Sequence, residues 1–234
     1  MRIHKLFGIL ILGLFFLSTQ NLTRALTHEA QVQYNARLKV MSKADLDRHL
    51  RAPFGDGVAH PAGILNCRQL LVRKGHLPQA SSQEFQSERS TMAECVVFQK
   101  LRRAVPARSS YVHDLAWDEH VLPLLPPQLA ITVSAESTRA AGVAANQGRG
   151  WQDFDPSVTA GASSKGPEEI VVAGNGFSER LVLWGRGDFN GDGVEDLLVQ
   201  SFDSLTDGTY RNTRIFLLTR HAANGRLSVV GSPF

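Results

Sequence analysis

Between residues 169 and 230 the chain alternates apolar runs with turn dipeptides, and this pattern restricts its fold more than any other feature. Five runs follow in order, at 169–173, 177–184, 195–202, 209–219 and 226–230. Asn175-Gly176 separates the first two, Asp207-Gly208 the third and fourth, and Asn224-Gly225 the last two. Asn-Gly and Asp-Gly supply the positive φ angles of tight hairpins. The region is therefore expected to form a five-stranded antiparallel meander. The connection between the second and third runs is longer and acidic, and it is the functional candidate.

That connection reads Gly187-Asp188-Phe189-Asn190-Gly191-Asp192-Gly193-Val194-Glu195-Asp196. Oxygen-bearing side chains recur at Asp188, Asn190 and Asp192, and Asp196 follows four residues later. A hard cation such as calcium takes six to eight oxygens, and a loop curled round it turns every second side chain inward. Gly191 and Gly193 allow the tight path. The Val194 carbonyl supplies a further oxygen, and Glu195 is expected to point outward. Without a cation the three carboxylates repel one another. A polar turn holding no metal is the alternative for the same residues.

The spacing matches the first half of an EF-hand loop but departs at the twelfth position, where Val199 replaces the bidentate Glu. The residues after Glu195 read as a strand. In these features the segment resembles the FG-GAP (VCBS-like) repeat of integrin-type and bacterial surface proteins, in which a D-x-N/D-x-D-G-x-x-D loop between two strands binds calcium. The resemblance implies Asp188, Asn190, Asp192, Asp196 and the Val194 carbonyl as calcium ligands. It covers about 187–200. Family members carry several repeats closing a β-propeller, whereas this chain has one loop.

Residues 1–25 read as a secretory signal peptide. Arg2 and Lys5 precede the apolar run 6–17, and Thr23-Arg24-Ala25 offers a cleavage site. An uncleaved anchor is the alternative. The formal net charge of +3 lies entirely in this leader, which holds three basic residues and no acid. Residues 26–110 then carry 13 basic and 7 acidic side chains, and residues 111–234 carry 9 and 15. A balanced mature chain argues against nucleic acid as partner. Twelve apolar residues are short for a bilayer, so no stable membrane insertion is expected after cleavage, and a periplasmic or secreted location is. Export permits the two cysteines, Cys67 and Cys95, to form a disulfide.

Upstream, the alternation over 31–40 predicts a strand, with a helix as runner-up. Ser42 with Asp45, and Ser81 with Glu84, open helices as capping boxes, the second running from 81 to 105. Residues 53–63 are turn-rich. An irregular packed segment with one helical turn after Pro127 is expected over 111–135. The small and polar stretches 140–150 and 157–166 read as connections on either side of an anchor at Trp151 and Phe154. The expected class is α+β, with a partly helical region (26–150) packed on the β region (151–234). The expected function is an exported, non-enzymatic calcium-binding protein with a structural or binding role. One rival is recognition of another exported or cell-surface protein. Another is a hydrolase using His113 or His120, which stand beside Asp114 and Glu119.

Overall fold

The computed structural model describes residues 33–34, 42–54, 64–73 and 81–231. The leader, most of the expected strand over 31–40 and residues 55–63 of the turn-rich stretch lie outside these. Seven strands are described: β1 (Gln33–Tyr34), β2 (Thr159–Ala162), β3 (Glu169–Gly174), β4 (Phe177–Gly187), β5 (Asp196–Leu205), β6 (Arg211–Thr219) and β7 (Ser228–Val229). Strands β2 to β7 form an antiparallel sheet in sequence order. The first part of β4 pairs with β3, and β1 adds beside its end, at Gly185 and Arg186.

Strands β3 to β7 are the five expected from the turn dipeptides. Gly176 (φ 80°) and Gly208 (φ 118°) take the left-handed conformation those turns require. Gly225 does not. Its connection closes through the Gly225 amide on the Ala222 carbonyl and the Arg220 guanidinium on the Gly225 carbonyl. Strand β2 corrects the reading of 157–166 as a connection. Its side chains are mostly exposed, so it lacks the apolar alternation that marks a half-buried strand, and it joins the sheet through its backbone register with β3.

Three helices, α1 (Lys43–Arg51), α2 (Cys67–Val72) and α3 (Ser82–Arg103), cover one face of the sheet. Ser42 with Asp45 and Ser81 with Glu84 make the expected capping boxes. Cys67 and Cys95 form a disulfide that pins α2 to α3. Residues 105–158 cover the opposite face. They contain two short 3-10 turns, Glu119–Leu124 and Pro127–Leu129, and the helices α4 (Ala135–Asn146) and α5 (Trp151–Phe154). Helix α4 corrects the expectation of a connection at 140–150. An alanine-rich stretch has high helix propensity, Ser134 caps it against Ser137, and Ala141 and Ala144 face inward.

Side chains of a strand alternate between faces, so the sheet carries two cores. Leu181, Leu197, Val199, Phe216 and Leu218 meet Trp117, Leu125, Leu129 and Trp151 on one side. Leu198, Ile215 and Leu217 meet Leu46, Leu70, Val97 and Leu101 on the other. The unbroken Leu197-Leu198-Val199 run is explained by this double cover. The β4–β5 connection lies at one end of these layers. No helix among the described residues is long and apolar enough to cross a membrane.

Candidate metal centre

The β4–β5 connection is a chain of side-chain-to-backbone turns. Asp188 is buried. Its Oδ1 accepts from the amides of Asn190 (3.2 Å) and Gly191 (2.6 Å), and its Oδ2 from the amide of Gly193 (2.8 Å). The Asp192 amide donates to Asn190 Oδ1 at 2.9 Å, and the Val194 amide to Asp192 Oδ1 at 2.7 Å. Asn190 Nδ2 donates to Asp192 Oδ2 at 3.0 Å. The alternate residues thus curl the loop by the short-range bonding that Asp and Asn favour. Gly191 (φ 88°) and Gly193 (φ 84°) take left-handed conformations.

Asp196 closes the loop from the first position of β5. It is wholly buried, its Oδ2 accepts from the Phe189 amide at 3.2 Å, and its Oδ1 has no hydrogen-bond partner. Burial raises its pKa to about 6, with smaller contributions from the charges of Asp192 and Asp188. Asp196 is therefore within electrostatic reach of both Asp188 and Asp192.

The segment leaving α3 holds the loop from outside. Val105 and Asp188 exchange backbone hydrogen bonds, and the amides of Arg108 and Ser109 both donate to the Gly193 carbonyl. The Glu195 amide donates to the Ser109 carbonyl. The Arg108 guanidinium lies against Gly193, where a Cβ would stand 2.5 Å from Nε. It also donates to the Asp192 carbonyl at 3.4 Å. Glu195 corrects an expectation. It points away from the loop, but inward: it is fully buried and accepts from Ser110 Oγ. Arg186, which lies within electrostatic reach of Glu195, donates to the carbonyls of Val112 and Leu115.

Whether these residues suit a cation can be judged from their oxygens. A carboxylate offers about four acceptor sites, and the amide bonds leave sites over on Asp188 and Asp192. Asp196 Oδ1 is buried and lacks the hydrogen-bond donor or cation that such an oxygen ordinarily has. In the present conformation no three His, Cys, Asp or Glu side chains among the described residues gather as a metal-holding group. In type and order the residues match the oxygen pattern of a calcium loop. Asn190 and Asp192 are exposed and Val194 half-exposed, so the loop tip faces solvent. His113 and His120 are exposed as well.

The sequence did not reveal the contribution of residues 105–110, because no local motif marks which distant segment will lie against a loop. No family model, curated protein or solved structure matches the chain.

Proposed function

We propose that the chain is an exported protein whose β4–β5 loop binds one calcium ion, in a structural or binding role. Asp188, Asn190, Asp192 and Asp196 would supply side-chain oxygens and Val194 its carbonyl, as the resemblance to the FG-GAP repeat implies. The observation that carries the reading is the buried, unpaired Oδ1 of Asp196 at the base of a loop with two further carboxylates. A calcium ion would offset their mutual repulsion and supply the missing partner. Because the loop is bonded to the segment leaving α3, ordering it would brace that segment against the sheet. The exposed tip at Asn190 and Asp192 favours a second role, presentation of a calcium-ordered surface to another exported or cell-surface protein.

Calorimetric titration of the purified protein with calcium tests the site. One ion per chain is expected. Asp196→Asn should weaken binding by tenfold or more, about 1.4 kcal/mol, while Asp207→Asn in the exposed β5–β6 turn should leave it unchanged. Absence of binding at millimolar calcium, or equal effects of the two substitutions, would refute the assignment.

A further inference from the structure

A second group of buried charges lies farther along the sheet, away from the loop. Glu179 on β4 and Asp203 on β5 are register partners, and both are buried. They share a sheet face with Leu181 and Val199, since strand side chains alternate. Arg214 on β6 reaches both. Its Nη2 stands 3.4 Å from Glu179 Oε1, and its Nε forms an ion pair with Asp203 Oδ2 at 2.8 Å, off the line of a hydrogen bond. The same guanidinium donates to the backbone carbonyls of Gln128 (3.3 Å), Leu129 (2.6 Å) and Ala130 (3.1 Å). Arg214 is therefore a clasp between the sheet and the Pro127–Leu129 turn.

The group holds two carboxylates and one guanidinium. Burying a carboxylate without a partner is unfavourable, and taking up a proton removes that cost. The hydrogen bonds indicate where the proton sits. Asp203 accepts from Ser201 Oγ at 2.8 Å and from Asn212 Nδ2 at 3.4 Å, in addition to its ion pair. Glu179 has only the long contact to Arg214, and its Oε2 has no partner. Burial first, then the charge of Asp203, push the Glu179 carboxyl well above its ordinary range, with Arg214 opposing. Of the neighbouring charges, Arg89 acts on Tyr210, whereas only Asp203 and Arg214 act on Glu179. The Tyr210 phenol is raised by burial and by Asp203 and stays neutral. β3 presents Val172 opposite Glu179. The turn contributes Gln128, whose Oε1 is also buried without a partner.

We propose that Glu179 and Asp203 hold one proton between them, seated on Glu179, and that its loss as pH rises loosens the Arg214 clasp on the Pro127–Leu129 turn. The proton gives Glu179 a hydrogen to donate and leaves the guanidinium to Asp203 and the three carbonyls. Once ionised, Glu179 competes with those carbonyls for the same donors. The fold thus contains a latch, closed while Glu179 holds its proton and released as pH rises past its titration.

The test is carbon-13 NMR of the purified protein with labelled Glu carboxyls, together with amide exchange at Leu129 and Ala130, in EDTA and again in calcium. Those two amides close the turn on the Pro126 and Pro127 carbonyls. The Glu179 carbon should titrate well above the ordinary Glu value of about 4.3. Glu179→Gln mimics the protonated acid, so the two proteins should exchange alike below the pH at which the Glu179 carbon titrates, with wild type faster by about tenfold one pH unit above it. A Glu179 carbon titrating at the ordinary value, or an exchange ratio that does not change with pH, would overturn the latch. Should Glu179→Gln fail to fold, the carbon titration of the wild-type protein decides alone.

Discussion

Asp196 ionises reluctantly because burial strips water from its carboxylate and the Asp192 and Asp188 charges add to the cost. The Phe189 amide pulls the other way, as does Thr219, whose hydroxyl approaches without hydrogen-bond geometry. Its folded pKa of about 6 exceeds the ordinary Asp value of about 3.9, so the folded state holds the proton more tightly. The stabilisation is complete below the unfolded pKa and is lost as pH rises through about 6, amounting to about 3 kcal/mol for a shift of this size. Urea unfolding in EDTA should show this decline for wild type, and Asp196→Asn should flatten it. Gly193→Ala is expected to destabilise by about 2 kcal/mol, from left-handed strain and collision with Arg108. Gly191→Ala, at a similar φ but in open space, should cost less in the same assay. The alternate oxygens of Asp188, Asn190 and Asp192 were legible because the loop's curl is a short-range property of those residues. The inward turn of Glu195 was not, since it depends on Ser110 and Arg186, which are distant in sequence.

Elements followed the sequence where a local signal sufficed. The two capping boxes open α1 and α3 where Ser42 and Ser81 predict, and four of the turn residues around Gly176 and Gly208 set two hairpins. Helix α4 and strand β2 were missed for opposite reasons. α4 has small residues that read as a connection but favour a helix once Ser134 caps it. β2 has no inward stripe and exists through its pairing with β3. The Cys67–Cys95 link spans a sequence separation of 28, and closing a loop of that length is worth about 3–4 kcal/mol in the chain-entropy model. A Cys67→Ser, Cys95→Ser double variant should lose that much in denaturant unfolding under oxidising conditions. A loss below about 1 kcal/mol would show that the unfolded chain is already constrained there.

The whole molecule is a sheet held between two unlike layers, helices on one face and an irregular segment on the other. The sequence indicated helices packed on strands; it did not indicate that both faces of β5 would be covered, because an unbroken Leu-Leu-Val run fits several kinds of burial. Trp151 anchors the irregular layer. It is fully buried, and its amide donates to the Leu125 carbonyl at 2.8 Å. Trp151→Ala should cost about 3–5 kcal/mol, read by calorimetric unfolding. The β4–β5 loop stands where the segment leaving α3 meets the ends of β4 and β5, so the proposed ion, once bound, should stabilise the fold as a unit. Thermal unfolding of the purified, oxidised protein in EDTA and in calcium tests that claim most directly. A ligand that binds only the folded state adds about 2.7 kcal/mol at a hundredfold excess over Kd. Tm is expected to rise with calcium and not with magnesium, and the rise to disappear in an Asp188→Ala, Asp192→Ala double variant. An unchanged Tm at millimolar calcium, or a rise that survives the double substitution, would contradict that claim.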